Sequence, residues 1–152
     1  MGIYVPHSDI TKYDFMQSIK LIIVKLVTSN LGYHLLSLIK GKIVKRNGVV
    51  YDLSKLQIDN YTKALILLGL YEKSEIGMVN DHLPENTTVI ELGSSIGITT
   101  CQIARIASRN VYSFEANLDL ISKIEYNLGA NNFKNVKVYN VALGDGNTVY
   151  FK

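Results

Sequence analysis

Two acids and a glycine turn are the residues of this chain whose spacing points to chemistry. The stretch TVIELGSSIGITT, Thr88 to Thr100, runs from an apolar strand through Glu91 into Gly93, Ser94, Ser95 and Gly97, then into a helix start. A phosphate or ribose approaches a backbone closely only where side chains are absent or small. Gly93 suits a sharp exit from the strand, and Gly97 suits a helix packed close against the sheet. Ser94 and Ser95 are small enough to leave room, and each hydroxyl could donate to a ligand. A dinucleotide fold expects G-x-G-x-x-G with its pyrophosphate on the helix N-terminus. Here the middle glycine is missing and the last comes one residue early. Glu91 is badly placed against a pyrophosphate and well placed for a positively charged amino group. S-adenosylmethionine, with an ammonium and a sulfonium, is such a ligand. Glu115 closes the next apolar run, VYSFE, where an acid can bridge two ribose hydroxyls. Taken alone, Glu91 reads equally well as a solvated strand-end acid; the glycines and Glu115 together favour a ligand site.

The elements that must position these residues follow from periodicity. Thr87 to Leu92 is a buried-looking strand, Ile98 to Arg109 a helix, and NVYSFE a second strand. Leu118 to Leu128 is a second helix closed by Gly129, and NVKVYNVAL is a third strand. Gly144 to Gly146 is a turn, and Asn147 to Lys152 opens a fourth strand. Strand–helix–strand–helix–strand predicts an α/β fold: parallel pairing with crossovers, the first half of a doubly wound Rossmann-like sheet. Upstream, residues 1–13 form a lead-in, and Asp14 to Lys40 is helical with a break near Asn30-Leu31-Gly32. KIVKRNGVVYDL is a β-hairpin turning at Asn47-Gly48. Asp59 to Leu70 and Ser74 to His82 are helices, the first ending at Gly69. The expected division is a helical and hairpin segment over residues 1–86 and a ligand-binding sheet domain over residues 87–152. The first strand of such a sheet is central, so its far edge is expected to lie unpaired and apolar unless further chain or a partner covers it.

At VIELGSSIGITT, VYSFEAN and NVKVYNVALGD the sequence resembles the FkbM-type class I S-adenosylmethionine-dependent methyltransferases. That family's pattern is an acid-x-Gly-Ala-Asn-x-Gly turn, a FEPN strand end and N…ALGD. YDLS and LGLYEKSEI resemble the segment before its turn. The resemblance covers roughly Val49 to Lys152. It implies that Glu91, Gly93, Ser94, Ser95 and Gly97 line the methionine end of the cofactor. It also implies that Glu115 holds the ribose with Asn117 beside it, that Ala142 lies near the adenine, and that Tyr71 and Glu72 close over the pocket. Ser94-Ser95 replace the family's Ala-Asn and Ala116 replaces its Pro, changes of small residue for small that bear on affinity. The implied activity is methyl transfer, with a sugar or other small-metabolite hydroxyl as acceptor. The family's later acid-rich IKIDVEG motif has no counterpart in the 152 residues. No catalytic residue can therefore be named, and the chain is expected to be an N-terminal part with little or no turnover by itself.

Composition narrows the rest. Hydrophobic residues make up 47% and charged residues 19%, as in a globular domain with a real core. The lone Cys101 excludes an intrachain disulfide, no Cys/His cluster has metal spacing, and a reducing, cytoplasmic setting fits. His7, His34 and His82 are scattered without useful neighbours. Residues 1–50 hold 7 Lys/Arg against 2 acids, residues 51–100 hold 3 against 7, and residues 101–152 hold 6 against 4. The basic first third reads as a solvated helix face and hairpin, with no aromatic-plus-basic signature of nucleic-acid binding. Lys42, Lys45 and Arg46 are alternatives for meeting an acidic acceptor such as a sugar phosphate. Leu21 to Ile39 is interrupted by Lys25, Asn30 and His34. Ile19, Ile22, Ile23, Leu26, Asn30 and Tyr33 follow one helix face, so a packed helix is expected, with an interfacial helix and a membrane-spanning helix as the alternatives. Two other functions stay open: an NAD-linked oxidoreductase on a similar sheet, and a non-enzymatic module whose basic helix, Lys20 to Lys45, docks on a membrane or partner.

Overall fold

The computed structural model describes Ser18 and residues 22–144. The lead-in, the start of the first helix, most of the Gly144–Gly146 turn and the fourth strand lie outside the described residues. Contacts gather the chain into two compact units, one of residues 1–41 and 58–68, the other of residues 42–57 and 69–152.

In the first unit residues 22–27 are helical, Thr28 and Ser29 interrupt, and α1 runs Asn30–Lys40. The break falls just before the expected one. Thr28 Oγ1 donates to the Val24 carbonyl and Ser29 Oγ to the Leu26 carbonyl, each at 2.7 Å. These local bonds compete with the helix ladder. Ser29 Oγ also accepts from Gly32 N and so caps α1. The second helix, α2, is Asn60–Leu68, capped by Asp59, which accepts from the Thr62 amide and hydroxyl. Those two bonds hold the Asp59 carboxyl below the usual carboxylate range. Ala64, Ile66 and Leu67 are its buried residues. The expected packed face of the first helix is only partly so. Tyr33 is 3% exposed, while Ile22, Ile23 and Leu26 are each more than half exposed.

The second unit opens with the hairpin of β1 (Ile43–Arg46) and β2 (Val49–Asp52), paired antiparallel with Arg46 opposite Val49. Asn47 and Gly48 both take positive φ, as a tight two-residue turn requires. Val49, Tyr51 and Leu53 point inward and are buried. Helix α3 (Lys73–His82) follows. The parallel sheet comes next: β3 (Val89–Leu92), β4 (Val111–Phe114) and β5 (Val136–Tyr139), in the order β3-β4-β5. Val89 stands opposite Val111 and Val111 opposite Val136. The crossovers are α4 (Ile98–Ile106) and α5 (Leu118–Ala130). Parallel order with a helix in each crossover is the expected first half of a doubly wound, Rossmann-like α/β sheet. Ile103, Ala107 and Val111 form its core with Val79, Leu83, Val89 and Val136 packed around them. Among the described residues β3 pairs on one side only, and its Ile90 and Leu92 are 68% and 60% exposed.

Asparagines set several element ends that periodicity misplaces. Helix α4 stops at Ile106, three residues short of Arg109, where Asn135 Nδ2 donates to the Ala104 and Ala107 carbonyls. Strand β5 stops at Tyr139, not Leu143, because Asn140 Nδ2 turns back to the carbonyls of Glu115 and Ala116. Helix α5 runs through Gly129 to Ala130, and Asn132, at φ 57°, supplies the left-handed residue after it. Asn131, the C-cap of α5, ties the hairpin down. Its Oδ1 accepts from Val50 N at 2.7 Å, and its Nδ2 donates to Val50 O and Asn127 O at 2.8 Å. Asn131→Ala leaves the half-buried Val50 N–H and C=O without these partners. A loss of about 1–3 kcal/mol is expected, read by urea unfolding.

Candidate functional site

The turn between β3 and α4 is built by positive φ angles at Gly93 (81°), Ser95 (51°) and Gly97 (80°). Ser95 therefore adopts the left-handed backbone of the glycine it replaces, at a cost Gly would not carry. A Cβ on Gly93 would meet nothing within 4 Å, so that face of the turn is open. Gly97 is different: its Cβ would lie 3.0 Å from Ile124 Cα. The close approach that needs a glycine there is to helix α5, not to the sheet as expected. The turn hangs from β4, with Gly93 N donating to the Phe114 carbonyl at 2.8 Å.

Glu115, at the end of β4, is the pivot. It is 8% exposed, and both of its oxygens accept from backbone amides. Ser95 N donates to Oε2 and Asn117 N to Oε1, each at 2.8 Å. A carboxylate has about four lone-pair sites, so two amides fix its orientation and leave acceptors for a ligand's hydroxyls. Asn117 also works as the N-cap of α5, its side chain accepting from Asp119 N. Ala142 lines a cavity of about 260 Å³ together with Gly93, Phe114, Glu115, Ala116 and Val141.

Glu91 lies on the other side of Gly93. A second cavity, of about 370 Å³, is lined by Glu72, Glu75, Glu91, Gly93 and Thr99. Burial pushes the Glu91 carboxyl above the usual carboxylate range; the Thr100, Ser113 and Ser94 hydroxyls oppose this and the nearby Glu72 charge adds to it. Glu91 Oε2 is enclosed without a hydrogen-bond partner among the described residues, as is Thr100 Oγ1. Burial raises Glu72 as well, with the Thr99 hydroxyl opposing. Three carboxylates around one cavity, two held above their ordinary pKa, make a site that gains when a cation enters.

Glu91, Gly93, Ser95, Gly97, Glu115 and Asn117 gather around the turn and Ala142 borders the cavity beside it, while Ser94 departs from expectation. Ser94 is 2% exposed and its hydroxyl is turned inward, bonded to Ser113 Oγ and 3.3 Å from the Phe114 carbonyl. It braces the turn instead of facing a ligand. The Ser95 hydroxyl bonds Tyr71 OH at 2.9 Å, and Thr99 Oγ1 donates to Glu72 Oε2 at 2.7 Å. Tyr71 and Glu72 accordingly reach the turn, and Glu72 does so from a left-handed backbone, φ 46°. Ser113, Thr99, Thr100 and Glu75 were not singled out from the sequence, since a lone hydroxyl or helix acid carries no spacing signal. Cys101 is fully buried and its thiol is pushed up to about 12, mainly by burial, which leaves it inert as a nucleophile. Among the described residues no group of three His, Cys, Asp or Glu could hold a metal ion.

No family model matches the chain, and no curated protein matches it. Among solved structures, M. jannaschii TYW2 in complex with AdoMet is 21% identical over 63% of this chain and 41% of its own, at a TM-score of 0.47. The tRNA (m1A58) methyltransferase TrmI of Aquifex aeolicus is 23% identical over 69% and 51%, at 0.45. Coclaurine N-methyltransferase bound to N-methylheliamine and SAH is 16% identical over 91% and 45%, at 0.39. The chain spans about half the length of these structures or less. The fold assignment rests on the chain's own strand order and crossovers.

Proposed function

We propose that this chain carries the cofactor-binding half of an S-adenosylmethionine-dependent methyltransferase of FkbM type. One observation carries the proposal: two cavities meet at Gly93, an acidic one beyond Glu91 and one bordered by the amide-held carboxylate of Glu115. A ligand laid across Gly93 would place a cationic end against Glu91, a diol against Glu115 and a flat ring toward Ala142. S-adenosylmethionine has those three parts in that order. Gly93, Ser95 and Gly97 would let it approach the backbone, Ser94 would brace the turn, and Asn117 would orient Glu115. When bound, the cofactor supplies an electrophilic methyl group. The residues described here bind and orient it, and the contribution to rate expected of them is positioning. A dinucleotide fits less well, because a pyrophosphate at the turn would face Glu91, and the Ser95 amide is already taken by Glu115. Residues 87–152 would form the binding domain and a sugar or other small-metabolite hydroxyl the acceptor, in a cytoplasmic setting. Calorimetric titration with S-adenosylmethionine, S-adenosylhomocysteine and NAD tests this. Binding of the first two without NAD supports the proposal, and binding of NAD alone defeats it.

The raised pKa of Glu91 adds a pH signature. Its neutral form is favoured in the empty fold, so the stability it contributes is present at low pH and is lost as pH rises through the raised value. A cation needs the charged form, so cofactor affinity should rise with pH over that same window. Glu91→Gln should flatten the profile, weaken binding by about 10- to 100-fold, and raise the Tm of the unliganded chain at neutral pH. An unchanged profile would show that Glu91 does not face the cation.

A further inference from the structure

We propose that the first unit docks on an anionic lipid surface through helix α1 and the helical residues before it. Helix α1 is amphipathic in the inverted sense. Leu31, Leu35, Leu38 and Ile39 recur at helical spacing on one face and are 71%, 54%, 82% and 84% exposed. The opposite face carries buried Tyr33 and Ser37. A helix that only packed on its own unit would turn its leucines inward. Ile22, Ile23 and Leu26 extend the exposed apolar surface into the preceding helical residues. Between the two segments lies an apolar groove of about 380 Å³ walled by Leu26, Val27, Leu31, Leu35, Leu36 and Ile39.

The bend that sets these faces side by side is tightly packed. A Cβ on Gly32 would lie 2.2 Å from the Leu26 carbonyl oxygen and 2.6 Å from that of Val27. Only the missing side chain lets the two helical segments meet there, and Ser29 caps the junction. A contiguous exposed apolar patch of this kind marks an interaction site.

Charge identifies the occupant. From residue 15 to residue 41, within the first unit, the chain holds Lys20, Lys25 and Lys40 and no acid. Lys25 and Lys40, on the apolar segments themselves, are exposed. A second copy docked face to face would set these cations against their own kind, and a nucleic acid has no use for a leucine face. An anionic bilayer satisfies both features: leucines enter the headgroup boundary while lysine stems lie along it with their ammonium groups at the phosphates. No helix among the described residues is long and apolar enough to cross a membrane, so the helices would lie in the interface plane.

The test is co-sedimentation of the full chain with phosphatidylcholine vesicles, with and without phosphatidylserine. Binding is expected with the anionic vesicles only, and should fall several-fold between roughly 0.1 M and 0.5 M salt. Leu35→Gln with Leu38→Gln should reduce it by about tenfold or more without changing the circular dichroism, since both side chains are exposed. Lys25→Glu with Lys40→Glu should remove the preference for anionic lipid. Failure to pellet at low salt, equal binding to neutral vesicles, or wild-type binding by the leucine variant overturns the proposal. So does a lipid-free dimer that the leucine variant dissociates, which would make the patch a contact between copies.

Discussion

Replacing Glu115 with Ala is expected to abolish measurable binding of S-adenosylhomocysteine, a weakening of about 100-fold or more, and to lower stability as well. Under the proposed function, the binding loss follows from two ribose hydroxyls losing the carboxylate that would accept from them. The stability loss follows from the protein's own donors: Ser95 N and Asn117 N both donate to that carboxylate at 2.8 Å. Glu115→Gln is no gentle control. Each carboxylate oxygen accepts an amide, so a glutamine must present its NH₂ to one of the two N–H donors, and a donor facing a donor makes no bond. Glu115→Gln is therefore expected to lie near Ala in affinity. Calorimetry and thermal melts on both variants check this. A Glu115→Ala variant that binds as wild type would remove Glu115 from the site.

The largest stability effect is expected at Gly97. Gly97→Ala combines a left-handed backbone at φ 80° with a Cβ placed 3.0 Å from Ile124 Cα and 3.2 Å from Ile124 Cγ2. Backbone atoms of a packed helix cannot step aside as a side-chain tip can. The expected cost is about 2–4 kcal/mol, or a Tm lowered by roughly 5–15 °C. Gly93→Ala is the matched comparison. Its φ is almost the same, 81°, yet nothing lies within 4 Å of the added methyl. Gly93→Ala should lose only the strain, about 1–2 kcal/mol, but should weaken cofactor binding because the methyl enters the junction of the two cavities. The two glycines then separate by readout, Gly97 by melting and Gly93 by binding. Equal melting losses would show that the close approach of α4 to α5 is not what Gly97 serves.

The parallel sheet was legible because its signals reinforce one another. Apolar runs of strand length alternate with helical spacing, and the acids fall near the carboxyl ends of two strands, Glu91 one residue inside β3 and Glu115 just past β4. The hairpin was legible from Asn47-Gly48, since few other dipeptides accept two positive φ angles. The misplaced ends share a cause: Asn135, Asn140 and Asn131 bond to carbonyls or amides distant in the chain, and no periodicity announces a side-chain amide's partner. The inward turn of Ser94 was hidden for the same reason, because its partner Ser113 lies 19 residues on. Of the face expected to pack in the first helix, Tyr33 is buried while Ile22, Ile23 and Leu26 stay exposed, because helical spacing shows which residues share a face and not which way that face turns.

The most direct test of the cofactor site is an amide-resolved NMR titration of the chain with S-adenosylhomocysteine. The predicted result is that shifts concentrate at Gly93, Ser95, Glu115 and Asn117 and are absent with NAD. Shifts confined to other residues, or the same shifts on adding NAD and none with S-adenosylhomocysteine, would contradict it.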